Sequence, residues 1–450
     1  MATADLPALP PPQNLAEPPT LQPMSWVGVD VGVEPPPPRP PWDSLPAELL
    51  ARVFSYLDVQ DKQSAEETCV WWQTVADDPA LWCTQTFCFN DCSSLDPVIT
   101  WCRLIERKGH YLRDVTLKIE QPFPARAWYM SDGVQRLLAH ISLHPDAQHV
   151  RSFKVSKLNI FTRWRLFTLS RKSILAALCN FFRSQKSLKV VTLTSCRLSA
   201  DDGARVLQAL KYSLSRYSIE QLDLREFFQV NYRATKGPRF CHLMTSSFLR
   251  LRELGVGAQH VDDNFLKRFT QDSTCSKTLR HLRLYLELFR LPARPVSNAT
   301  WRETRTACPL LTVCVQLDSC FPLSYVRQFL VPELPLDKLY VLWPRSYRRH
   351  RDKQRHLSET LDHVTRLYHP TLTCFRLRSL VKSSPELEAS VLTLARACRR
   401  LAEFKITLKV SPTTAQRLKE ELCTRRPPVS VGLFPTSSQL ARQRNRPAGS

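Results

Sequence analysis

Glycine is scarce, at 10 of 450 residues. A chain so poor in it has little with which to build a phosphate-cradling loop, and neither a Walker-A segment nor GxGxxG occurs. GxSxG and HExxH are missing too, which removes common hydrolase and zinc-peptidase arrangements. Histidines and carboxylates are scattered. Cys374 and His369 can be paired on paper as nucleophile and base, but no third group orients them. The chain reads as non-catalytic.

Fifteen cysteines is an odd number without framework spacing. Cys83, Cys88 and Cys92 lie closest together, yet no CxxC or His pair completes a metal site. They read as thiols of a reducing compartment, with no metal and no cofactor expected. No apolar run is long enough to span a bilayer, so no membrane is expected. The first thirty residues lack a basic segment followed by an apolar core, so no secretory leader is expected either. The expected location is cytoplasmic, nuclear or both. Acid is also short: 41 Asp and Glu face 63 Lys and Arg, a net charge of +22. That balance attracts acidic partners, but the basic residues spread along the whole chain and read first as a solvated surface.

Residues 1–41 hold 13 of the 34 prolines and read as a disordered leader. A dense block, Trp42 to Trp82, follows. In it Leu49, Leu50, Val53, Phe54 and Leu57 make an apolar stripe at helical spacing. Pro46 suits the first helical turn. Cys69, Trp72 and Val75 give a second short apolar face, and Asp77-Asp78-Pro79 reads as a turn into Leu81 and Trp82. So short a block has little interior to hide the stripe.

Downstream, one pattern returns ten times: apolar, two others, apolar, one other, apolar. It starts at Leu112, Val150, Leu188, Ile219, Leu251, Leu279, Leu310, Leu336, Leu372 and Leu401. The segments between read as helices, for instance Asp132–His144, Asp201–Ser213 and Pro385–Arg400, with a last helix near Thr413–Leu422 and a closing strand from Val429. A short strand then a helix, repeated, is the leucine-rich-repeat signature, because no unit buries its apolar face alone. The expected fold is α/β: an irregular horseshoe over residues 89–436, with a parallel sheet on the concave side and helices outside. Side chains alternating with the core apolars should line the concave face. They include Asp223, Glu253, Arg283, Lys338, Tyr340 and Arg376, the candidate substrate residues. Acids fall in the earlier units and bases in the later ones, which suggests an acidic substrate segment toward the later repeats. Arg345–Arg355 is the densest basic run, and residues 437–450 read as a disordered basic tail.

The block Trp42–Trp82 resembles an F-box. Leu45-Pro46, the stripe, Cys69-x-x-Trp72 and Pro79-x-Leu81-Trp82 follow the family pattern in order, over residues 42–88. The chain departs from it at Lys62, Ser64 and Thr68, where members usually carry Leu or Val. It departs again at Val70 and Trp71, where basic residues are common. With the repeats, the whole resembles an F-box protein of the leucine-rich-repeat type. The resemblance implies a substrate receptor of an SCF (Skp–cullin–F-box) ubiquitin ligase, bound to a cullin-RING ligase through the Skp adaptor. It implies adaptor contacts at Leu45, Pro46, Leu49, Leu50, Val53, Phe54, Leu57, Cys69, Trp72, Leu81 and Trp82, with Leu50, Phe54 and Trp82 as anchors. The Cys/His alternation of a RING is absent, so the chain would not recruit a conjugating enzyme by itself. The competing expectation is a basic repeat scaffold that binds RNA or another acidic partner; the mixed concave charges make nucleic acid the less favoured partner.

Overall fold

The computed structural model describes residues 42, 45–89, 94–119, 126–229, 240, 244, 247–271, 273–287, 295–343, 350–379, 383–425 and 429–433. The chain divides into two units, Met1–Pro46 and Ala47–Ser450. The proline-rich leader, the basic tail and residues 345–349 of the basic run lie outside the described residues. From His350 the run continues as a helix that ends at Tyr368.

The larger unit opens with three short helices, α1 (Ala47–Phe54), α2 (Val59–Glu66) and α3 (Val70–Ala76). Each start has a local cause. Glu48 lies in the first turn of α1, where the dipole favours acid. Asp58 caps α2 by accepting the Asp61 N–H at 2.9 Å. Cys69 does the same for α3, its sulfur 3.5 Å from the Trp72 N–H. The Cys-x-x-Trp spacing is therefore a helix cap.

Among the described residues twelve strands follow in strict chain order, every pair parallel. They are β1 (Thr84–Cys88), β2 (Asp114–Lys118), β3 (Ser152–Ser156), β4 (Val190–Thr194), β5 (Gln221–Leu224) and β6 (Glu253–Gly257). The second half is β7 (His281–Leu286), β8 (Thr312–Leu317), β9 (Leu336–Trp343), β10 (Cys374–Ser379), β11 (Glu403–Ile406) and β12 (Ser430–Leu433). Helices connect them, beginning with α4 (Asp96–Lys108) and α5 (Ala127–Leu143). This is a leucine-rich-repeat horseshoe, and the ten repeat motifs coincide with β2 to β11. Register explains the pattern: Val115, Phe153, Val191, Leu222, Leu254, Leu282 and Val313 form one buried row across seven strands.

Three details depart from the sequence reading. The sheet begins at Thr84, before residue 89, so its first strand lies inside the stretch resembling an F-box. The first apolar position of the seventh motif is filled by buried Leu311, while Leu310 is exposed. A register shift between β8 and β9 then pairs Val315 with Leu339, where equal spacing would pair Val313 with it. That step falls in the shortest interval, Leu310 to Leu336.

Candidate functional site: an outward apolar face beside the solenoid

The α1 stripe is divided. Leu50 and Phe54 are each 1% exposed, whereas Leu49 and Val53 are 54% and 46% exposed. Phe54 turns inward onto Trp72, ring centroids 5.4 Å apart in an edge-on contact. Leu81 and Trp82 are also interior, with the Trp82 indole N–H donating to the Ala76 carbonyl at 2.6 Å. Leu50, Phe54, Leu81 and Trp82 are therefore corrected as direct adaptor contacts, and two of the three expected anchors on α1 and the third at Trp82 are core residues. They shape the surface that a partner would meet. Leu57 and Trp72 are half-buried and Cys69 is exposed; in the smaller unit, Leu45 is half-buried and Pro46 exposed. The exposed apolar groups are Leu49, Val53 and Tyr56, joined by Val70 and Trp71 at the start of α3. Sequence reasoning treated the last two only as departures from a pattern.

The polar second helix has a physical account. Lys62 is buried, its Nζ donating to the Leu81 carbonyl at 3.1 Å and lying 5.4 Å from the Trp82 ring centroid. Burial holds its pKa below the usual lysine value. Glu66 is buried too, and meets Lys108 at 3.4 Å and Arg107 at 2.8 Å, both from α4 of the first repeat. Lys108 also bonds Asp77 and sits 5.9 Å from the Trp82 centroid. The inner side of α2 thus binds the solenoid through charge, while Ser64 and Thr68 are exposed. Neither Lys62 nor Glu66 is offered to a partner.

The F-box-like family profile matches residues 42–88. Human F-box/LRR-repeat protein 8 is 23% identical over 380 residues, which is 82% of this chain and 90% of that protein. The chain carries an F-box-like segment followed by leucine-rich repeats. Proteins of this kind act generally as non-catalytic adaptors. Cys374 and His369 form no dyad: the thiol faces Glu403 at 3.3 Å and Tyr340 at 3.9 Å, and His369 lies 3.2 Å from the Thr365 carbonyl. Burial pushes the Cys374 thiol up to about 11, far from a thiolate at neutral pH.

On the concave face of the repeats the candidate substrate residues come together in part. Asp223, Glu253, Arg283 and Lys338 line a groove of about 210 Å³ over β4 to β9. Gly255 makes room there, since a Cβ at that position would stand 2.8 Å from Asp223 Oδ1. Across the gap the Tyr285 hydroxyl donates to Asp223 at 2.8 Å, and Arg283 lies 3.6 Å from the same carboxylate. Tyr340 and Arg376 sit farther along, the guanidinium 5.0 Å from the ring centroid. Arg376 is already engaged by Glu403 at 2.8 Å, and these hydrogen bonds hold the Glu403 carboxyl down at about 2. The expected division into acidic early and basic later units is thus largely cancelled by pairing, which weakens the case for an acidic ligand on this face.

At the rim, Glu226, Glu287 and Asp318 bring carboxylate oxygens within 4.8 Å of one another. Two of them already face cations, Arg197 to Glu226 and Arg225 to Asp318, each at 3.1 Å. Among the described residues no helix is long and apolar enough to cross a membrane.

Proposed function

We propose that the chain is the substrate-recognition subunit of an SCF ubiquitin-protein ligase. It binds the Skp adaptor, and through it a cullin-RING ligase, by the outward face of its F-box, and presents protein substrates on the repeats. The observation that carries this reading is the apolar face of α1 and α3, exposed beside a solenoid whose strand rows are buried by its own helices. Burying one such Leu or Val is worth about 1.5–3 kcal/mol, so a few suffice for a stable interface after association costs. Leu49→Asp with Val53→Asp should abolish co-purification of the adaptor and cullin. Both positions are exposed, so the thermal unfolding of the variant should match that of the parent. Undiminished co-purification by this folded double variant would overturn the reading.

A further inference from the structure

The basic excess is not evenly spread. Between Asp146 and Asp201 no acidic residue occurs, while eleven Lys and Arg do. That stretch builds β3, the turn after it, a helix over Thr168–Ser184, and β4. Two of its cations reach the next unit, Lys189 to Glu220 at 3.9 Å and Arg197 to Glu226 at 3.1 Å. Arg163, Arg165, Arg171 and Lys172 have no ion-pair partner among the described residues, and Arg171 Nε is buried without a hydrogen bond. Arg171 closes the first turn of a helix that has no acid there, and Lys172 follows it. Cations at that end oppose the helix dipole, so the arrangement costs stability that an incoming anion would return.

Two leucines stand among these cations, Leu166 and Leu169, 87% and 80% exposed. Their exposure is held in place. Trp164 is fully buried with Phe167 edge-on at 6.3 Å, and the Asn159 and Ile160 N–H groups donate to the Ser195 and Cys196 carbonyls at 2.8 Å. The neighbouring helix α5 packs alongside and also follows a parallel strand, so both helices start at the same rim. Its first turn exposes Trp128 and Tyr129, whose rings meet edge-on at 5.0 Å. Isolated exposed leucines mean little, but an apolar group edged by unpaired charge of one sign marks an interaction surface.

We propose that this rim docks an acidic protein segment that carries apolar side chains. Its carboxylates would meet Arg163, Arg165, Arg171 and Lys172, and its apolar groups would cover Leu166 and Leu169. A nucleic acid could use the cations and the two rings, but aliphatic side chains give its bases no face to stack on. The surface uses no residue of the F-box face or of the concave groove, so the inference does not depend on the receptor reading.

Fluorescence polarisation with the full-length chain tests it, using four labelled probes: a glutamate–leucine peptide, a glutamate–serine peptide, a lysine–leucine peptide and single-stranded oligouridylate. The glutamate–leucine peptide should bind best. Arg163→Glu with Arg165→Glu, and separately Leu166→Ser with Leu169→Ser, should each weaken it about tenfold. Added salt should weaken binding of the parent more than that of the arginine variant. If the arginine variant fails to fold, Arg165→Glu with Lys172→Glu, both at exposed positions, replaces it. The proposal is overturned if any other probe binds as tightly, if both variants bind unchanged, or if none of the probes binds.

Discussion

Replacing Lys108 with Met while Glu66 stays should destabilise the chain by about 3 kcal/mol, the low end for breaking a buried ion pair. The Glu66 side chain is 4% exposed, and its Oε2 has no hydrogen bond. Loss of Lys108 leaves this carboxylate facing only Arg107, whose side chain is 54% exposed. Arg107 is why the low end applies. Asp77, the other partner of Lys108, is 58% exposed and returns to water at little cost. Glu66→Leu with Lys108→Met removes both charges and their desolvation together, so the double variant should lose no more than about 1 kcal/mol. The second substitution therefore rescues the first, returning about 2 kcal/mol of the loss. Urea unfolding followed by tryptophan emission reads the transition, with Trp82 lying against Lys108. Single-variant losses that add within about 0.5 kcal/mol would refute the reasoning, since independent sites add that well.

Two further predictions concern the same region. Lys62→Met should raise stability at neutral pH, because it removes a buried cation while the Leu81 carbonyl keeps the Gln85 side-chain amide at 2.9 Å. The folded pKa of Lys62 lies below the ordinary 10.5, so the unfolded chain binds more protons between the two values. Stability of the parent should rise with pH across that alkaline window, and the Met variant should lose this rise; a variant less stable at neutral pH would count against the account. Phe54→Ala should cost about 3–5 kcal/mol, whereas exposed Leu49→Ala should change stability by about 0.5 kcal/mol or less. Thermal unfolding of the two variants side by side decides whether the stripe divides as described.

The repeat architecture was legible because each strand carries its own apolar pair and the register repeats it. The frame slip at β9 was not, since it depends on how two neighbouring strands pair, and Leu310 and Leu311 are equivalent as letters. The stripe on α1 was legible as apolar but not as two surfaces. At about 100° per residue, Leu49, Val53, Leu50 and Phe54 fall at about 0°, 40°, 100° and 140°. Exposure follows that order, with the first pair outward and the second inward. A stripe so wide touches two things, and periodicity alone does not say which edge faces the core. Lys62 and Glu66 were opaque for another reason: their partners Leu81, Arg107 and Lys108 are up to 42 residues away in the chain.

These same contacts bear on how a receptor of this kind would work. β1 lies within the residues matched to the F-box family and pairs with β2 along its whole length, from Thr84 with Asp114 to Cys88 with Lys118. Together with the Glu66–Lys108 network, this leaves no free linker between the adaptor face and the repeats. In the receptor reading a bound substrate is then placed by the unit on which it docks, and a tether cannot correct the distance. Strands stand about 4.8 Å apart, so the basic rim at β3 and the far end of the groove at β9 are about 29 Å apart along the sheet. A substrate on the rim would be held close to the F-box, while one in the groove would sit several units farther along. Which lysines of a substrate come within reach of ubiquitin transfer would therefore follow from the docking surface, so moving one acidic–apolar segment along an unstructured carrier should shift the modified lysines with it.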